Sequence, residues 1–314
     1  MDRRKFIISS ALASTALAIP TPFVFADSRA KRAFKISLNP GMIGVQSNFA
    51  QTLDYAISFG YEAISPFTQE VMDHYSEQQL HDVTEKMQEN KISYCSNTIP
   101  LEFRQDDAKF KEGFQGLKKF CKTMEKQGAT RMNTWIISSH SELTYNENMR
   151  QHAYRLGECA KVMQDHGIRL GLEYLGMRTM LIGNRYPFIS SMKEAKELIG
   201  EIGQDNVGLV LDSFHWYCAN ESIEDIQALH PNEIIVVDLN DAREGFTRQT
   251  QVDGKRELPA ATGVIPVHDF LKGLIDIGYD GPIRSEPFNQ VLNDMENEAA
   301  LKANMDAVQA ALAL

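Results

Sequence analysis

Four acidic residues in the second half of the chain each stand at the end of a strand-like segment. Glu173 follows R-L-G-L, Asp212 follows V-G-L-V-L, Asp238 follows I-I-V-V and Glu286 follows P-I-R-S. A carboxylate in such a place is costly to bury unless it is paired, hydrogen-bonded or metal-bound. Any one of them could be a helix N-cap or an ion-pair partner, because Asp is common in strand-to-helix turns. Four in succession point to a shared oxygen-rich site, the kind that takes Mg²⁺, Mn²⁺ or Co²⁺ and not a thiolate-preferring ion. His215 stands three residues after Asp212.

The elements that must bring these residues together are legible as alternation. Strand-like runs over 34–38, 61–65, 92–96, 131–137, 168–173, 207–212, 233–239 and 282–286 are separated by amphipathic stretches over 49–59, 76–90, 108–127, 146–166, 191–202, 223–229 and 267–277, with a last one over 296–314. The hydrophobic period switches from two to 3.6 at each boundary. Gly60, Gly128, Gly167, Gly203 and Gly278 each follow a helical stretch and precede a strand, the stop signal of a left-handed cap. Eight βα units predict an α/β fold, a single (β/α)₈ TIM barrel over 34–314, with chemistry at the C-terminal ends of its strands. A doubly wound sheet is disfavoured because no Gly-rich phosphate loop follows the first strand.

Composition narrows the partners. Of 314 residues, 43% are hydrophobic and 24% charged, an ordinary globular balance. Lys and Arg number 32 against 42 Asp and Glu, a formal charge of −10 that leaves nothing to neutralise a phosphate backbone, so no nucleic-acid partner is expected. Cys95, Cys121, Cys159 and Cys218 form no C-x-x-C pair and read as buried thiols. The N-terminus begins D-R-R-K-F-I and continues as an uncharged, small-residue-rich run to Ala26. Residues 1–26 therefore read as a twin-arginine signal peptide cleaved after Ala26, with a short linker over 27–33. This predicts a periplasmic or otherwise exported protein that meets the twin-arginine translocase and keeps no membrane span after cleavage. That route carries folded proteins, often with a metal already loaded.

The segments L-G-L-E-Y-L-G, V-G-L-V-L-D-S-F-H-W-Y, V-V-D-L-N-D-A and R-S-E-P-F-N, with L-P-A-A-T-G-V-I-P at 258–266, resemble the xylose isomerase-like TIM barrels of the sugar phosphate isomerase/epimerase group. The resemblance covers nearly the whole chain after the leader. It implies a divalent metal held by Glu173, Asp212, Asp238 and Glu286, with Mn²⁺ the expected ion and Mg²⁺ or Co²⁺ the alternatives. Glu173 and Glu286 would also carry protons, and His215 and Arg256 would reach the substrate. The departure is Asp238, where the family usually has His. An anion there puts four carboxylates around one ion, and Arg284, two residues before Glu286 on the same strand face, is expected to offset part of that charge.

Such a site would polarise a carbonyl, stabilise an enediolate and let two glutamates remove and return a proton. The expected activity is isomerisation or epimerisation of a non-phosphorylated sugar or keto-sugar, since phosphorylated sugars are largely cytoplasmic. A lyase or dehydratase acting on keto-glycosides or inososes would use the same residues. A non-catalytic sugar-binding barrel is the reading that Asp238 keeps open. Trp135, Trp216 and Phe288 are candidate aromatic faces for a sugar ring. A homodimer is a further expectation.

Overall fold

The computed structural model describes residues 32–313, so the leader and most of the linker lie outside it. Eight parallel strands form the wall. They are β1 (Lys35–Leu38), β2 (Ala63–Ile64), β3 (in two pieces, Ser93–Tyr94 and Asn97–Thr98), β4 (Arg131–Ile136), β5 (Arg169–Tyr174), β6 (Val207–Asp212), β7 (Ile234–Leu239) and β8 (Pro282–Ser285). The order runs β3-β2-β1-β8-β7-β6-β5-β4 and returns to β3. The third strand closes the ring by changing partner in mid-course: Cys95 donates its N–H to Ile64 O (2.8 Å), while Ile99 donates to Asn133 O (3.0 Å). The sequence predicted one continuous strand there; the two short pieces each pair with a different neighbour.

The principal helices are α1 (Phe49–Phe59), α2 (Glu77–Glu89), α3 (Asp107–Gln127), α4 (Tyr145–Gln164), α5 (Met192–Ile202), α6 (Ser213–Cys218), α7 (Ile223–Gln227), α8 (Val267–Asp276) and α9 (Asn297–Ala313), with short turns of helix at Gln69–His74, Arg178–Leu181 and Gln290–Asn293. Gly60, Gly128 and Gly203 cap α1, α3 and α5 in the left-handed conformation, which a Cβ would disfavour. Helix α6 was not anticipated, because S-F-H-W-Y-C is too short to show a period. It forms because the Asp212 carboxylate accepts from the N–H groups of Phe214 (2.6 Å) and His215 (3.3 Å).

Alternation along the strands divides the core in two. Leu209, Leu211, Val237 and Leu239 belong to the large apolar cluster between sheet and helices, whereas Ala63, Cys95, Val210 and Val236 form a small separate cluster, the filling of the barrel itself. Gly171 makes room for it: a Cβ there would lie 2.9 Å from Val210 Cγ2 and 3.0 Å from Ile235 Cβ. Above this plug the inward positions turn polar, and the site begins. Among the described residues no helix is long and apolar enough to cross a membrane.

Candidate active site

Strand register sets the first layer. Asp238 lies between Asp212 on β6 and Arg284 on β8 as their paired neighbour, and Trp135 on β4 is paired with Glu173 on β5. Paired residues of parallel strands share a face, so the acids converge. Glu173, Asp212, Asp238 and Glu286 can each offer an oxygen such that all four lie within 4.8 Å of one another. Glu173, Asp212 and a nitrogen of His215 do the same.

Two buried guanidiniums are threaded through these acids. Arg256 Nη1 donates to Asp212 Oδ2 (2.7 Å) and Glu286 Oε2 (3.0 Å), and its Nη2 donates to Asp253 Oδ1 (2.5 Å) and His215 Nε2 (3.2 Å). Arg256 is held between the rings of Phe214 and Phe288, each 4.8 Å from its Cζ. Arg284 takes Asp238 in a two-pronged pair, Nε to Oδ1 at 2.5 Å and Nη2 to Oδ2 at 3.0 Å. Its Nη1 donates to Ser96 Oγ (3.1 Å), which in turn donates to Asn133 Oδ1 (2.8 Å). The compensation expected of Arg284 thus takes the form of a direct ion pair.

Burial and charge shift the carboxyl groups in opposite directions. Burial first, then the Asp212 and Asp238 charges, raises Glu173 well above the usual carboxylate range. Burial, and then Asp238, does the same to Glu286. For Asp212 burial works against ionisation, yet Arg256, His215 and the two N–H groups of α6 hold it below its ordinary value. Burial lowers His215, so the imidazole is neutral. Arginine can only donate, so His215 Nε2 is an acceptor. Glu173 Oε1 lies 3.4 Å from that nitrogen and, though buried, has no hydrogen-bond partner. Two lone-pair atoms therefore face one another, and a proton on Glu173 or a cation relieves them. An orphaned buried oxygen and an oxygen-rich donor set together fit a divalent ion.

Three residues at the site carry no role in the sequence reading. Asn240 donates from Nδ2 to both oxygens of Asp212 (3.3 and 3.1 Å) and accepts the Glu286 N–H at Oδ1 (2.9 Å), tying three strand ends together. Fully buried Asp241 accepts the N–H groups of Ala242, Thr262, Gly263 and Ile265 at 2.7–2.9 Å, which pins the 258–266 segment. Asp253 fixes the outer edge of Arg256. The signal for Asn240 and Asp241 was the N-D pair directly after a strand end, which marks side chains able to bond backbone two or more residues away; Asp253, in a loop, had none.

Not every candidate reaches the site. Trp216 is a correction: its indole is buried in the helix–sheet core, 5.4 Å from the Phe270 ring, with Nε1 donating to Ser222 O (3.0 Å). Helix α6 points His215 inward and so turns the next residue outward. Trp135 is 41% exposed and lies on the Arg104 guanidinium (4.3 Å). Phe288, 40% exposed, has φ +40° directly after Glu286-Pro287, a strained conformation for an aromatic residue beside a site.

Comparison with known proteins agrees with the barrel fold. The family model for the xylose isomerase-like TIM barrel matches residues 53–311. An inosose isomerase of Halalkalibacterium halodurans is 24% identical over 274 residues, 87% of this chain and 94% of its own length. A xylose isomerase domain protein from Alicyclobacillus acidocaldarius superposes with TM-score 0.78 at 27% identity, covering 90% of this chain and 99% of that one. A crystal structure of an IolI protein with a bound zinc atom superposes with TM-score 0.74 at 20% identity over 89% of this chain and 98% of the other.

Proposed function

The chain belongs to the xylose isomerase-like TIM barrel family, and from that premise we propose that it is a divalent-metal-dependent isomerase or epimerase of a non-phosphorylated keto-sugar or inosose. The observation that carries the reading is the buried, unpartnered Glu173 Oε1 inside a cluster that also contains Glu286. The inosose isomerase relatives support the substrate class. So does the commitment of Arg256 and Arg284 to carboxylates, since a sugar phosphate would call for a guanidinium free to pair with it.

A divalent ion bound among these carboxylates supplies Lewis acidity, polarising the substrate carbonyl and stabilising the enediolate charge. The protein's own residues handle the proton. Burial shifts both Glu173 and Glu286 toward the protonated form, which makes each a better proton acceptor than a free carboxylate. One glutamate removes the proton beside the carbonyl and the other returns it. Arg256 fixes Glu286 and His215 by direct hydrogen bonds, and Asn240 holds Asp212 in place.

The test is solvent deuterium incorporation into a panel of keto-sugars and inososes, with Mn²⁺, Mg²⁺ or Co²⁺ added. Exchange that disappears in Glu173→Gln and Glu286→Gln establishes the reading, and product analysis separates an isomer from a dehydrated product. A protein that binds a divalent ion but exchanges no proton with any of them overturns it in favour of a sugar-binding barrel. Export is a separate part of the proposal, checked by N-terminal sequencing of the protein recovered outside the cytoplasm.

A further inference from the structure

The four acids of the cluster are not equivalent, and the difference lies in what already holds each of them. Glu173 Oε1 has no partner. Glu286 accepts through Oε2 alone. Asp212 is also bonded at both oxygens, but its one guanidinium, Arg256, is shared with Glu286 and Asp253, so its charge is not neutralised one to one. Asp238 differs: both of its oxygens are taken by one guanidinium, at 2.5 and 3.0 Å, and both side chains are buried. That guanidinium is in turn fixed across the barrel by Ser96, which is bonded to Asn133 on the adjacent strand. A planar fork on a carboxylate is the strongest pairing arginine makes, and breaking it in a buried setting leaves an uncompensated charge.

We infer that Asp238 and Arg284 form a fixed, neutral pair that takes no part in holding the ion, so that the cation seat of this chain is the three-carboxylate set Glu173, Asp212 and Glu286, which shares the single guanidinium of Arg256. The inference rests on the proposed function and deepens it. Three protein donors leave positions for ligands from solution, the arrangement of catalytic and not structural metal sites. The substrate class that suits such a seat is an α-hydroxy-ketone offering two adjacent oxygens. Asp238 and Arg284 are then positioning residues: the guanidinium keeps Asp238 from closing the seat and spans the barrel beneath it.

The test compares Co²⁺ affinity by chelator competition, and the visible absorption of bound Co²⁺, in full-length wild type and four variants. In Asp238→Asn/Arg284→Gln both charges go together, and affinity is expected to stay within about threefold with an unchanged spectrum. Arg284→Gln alone releases Asp238; affinity is expected to rise at least tenfold, and the spectrum to change as a fourth carboxylate enters. Glu173→Gln is expected to weaken binding by a hundredfold or more. Asp238→Asn alone leaves Arg284 unpaired, and its melting temperature reports whether that variant folds. Loss of Co²⁺ by the double variant, with its melting transition intact, would make Asp238 a ligand and overturn the inference. Wild type that binds no Co²⁺, Mn²⁺ or Mg²⁺ overturns the proposed function itself, and this inference with it.

Discussion

At the scale of single residues, the chemistry depends on groups held away from their ordinary protonation. Replacing Glu286 by Gln keeps its shape and removes its proton exchange, so deuterium incorporation is expected to fall by about 10²- to 10⁴-fold, measured at a Co²⁺ concentration that saturates the variant. Two buried groups outside the site give opposite pH signatures. Burial lowers His152 to about 4 from an ordinary 6.5. The unfolded chain therefore binds that proton more readily, and stability present above pH 6.5 is lost as pH falls toward 4, by about 3 kcal/mol in all. Burial raises Glu221 to about 7 from 4.5, and its contribution, present below pH 4.5, is lost as pH rises through 7. Urea denaturation from pH 4.5 to 8 should show a flatter acid limb in His152→Gln and a flatter alkaline limb in Glu221→Gln. Limbs parallel to wild type would refute the assignment.

At the scale of elements, the site is assembled by two connections that tolerate little change. The start of α6 passes so close to the end of β5 that a Cβ on Gly176 would lie 2.2 Å from His215 O and 3.0 Å from Ala219 N. Both are backbone atoms, so Gly176→Ala must displace the helix that carries His215. The expected cost is about 2–3 kcal/mol, read by denaturation, together with weaker metal retention. Asp241 is the other pin. In Asp241→Asn one of the two acceptor oxygens becomes a donor, and two of its four backbone partners lose their bonds at about 1–3 kcal/mol each. Hydrogen exchange at Thr262, Gly263, Ile265 and Ala242 should accelerate in that variant, whereas amides of β1 should not change. Eight strand–helix alternations and their glycine stops were readable in advance because period and caps are local properties. The split third strand was not, since it exists through partners remote in sequence, Ile64 and Asn133; helix α6 was missed for a different reason, six residues being too few to show a period although Asp212 caps them from the preceding position.

For the whole molecule, the concentration of negative charge at one end of the barrel links metal, protons and stability. Glu173 and Glu286 hold protons more tightly than free carboxyls, and a cation binds their ionised forms. Affinity for Mn²⁺ is therefore expected to rise with pH, with proton release visible as a buffer-dependent heat in calorimetry. Binding to the folded chain alone adds about RT ln(1 + [M]/Kd) to its stability. Excess Mn²⁺ should raise the melting temperature, EDTA should reverse the gain, and Glu173→Gln should abolish it. A melting temperature indifferent to both reagents would count against a resident ion.

The sequence by itself determined the barrel, the face on which chemistry sits and the acids that reach it, because alternation, glycine caps and a carboxylate at a strand end are all written within a few residues of chain. It also showed that the fourth acid, Asp238, stands where a neutral ligand was expected. What that acid does was decided by tertiary structure: only the register of β7 against β8 brings Arg284 onto both of its oxygens, and only ring closure brings Ser96 to the same guanidinium. Trp216 is the converse case, a residue adjacent in sequence to the site whose side chain helix α6 turns into the core. A strand fixes which residues face inward, but charge pairing across a barrel depends on groups as far apart as residues 96 and 284, and no local pattern records it.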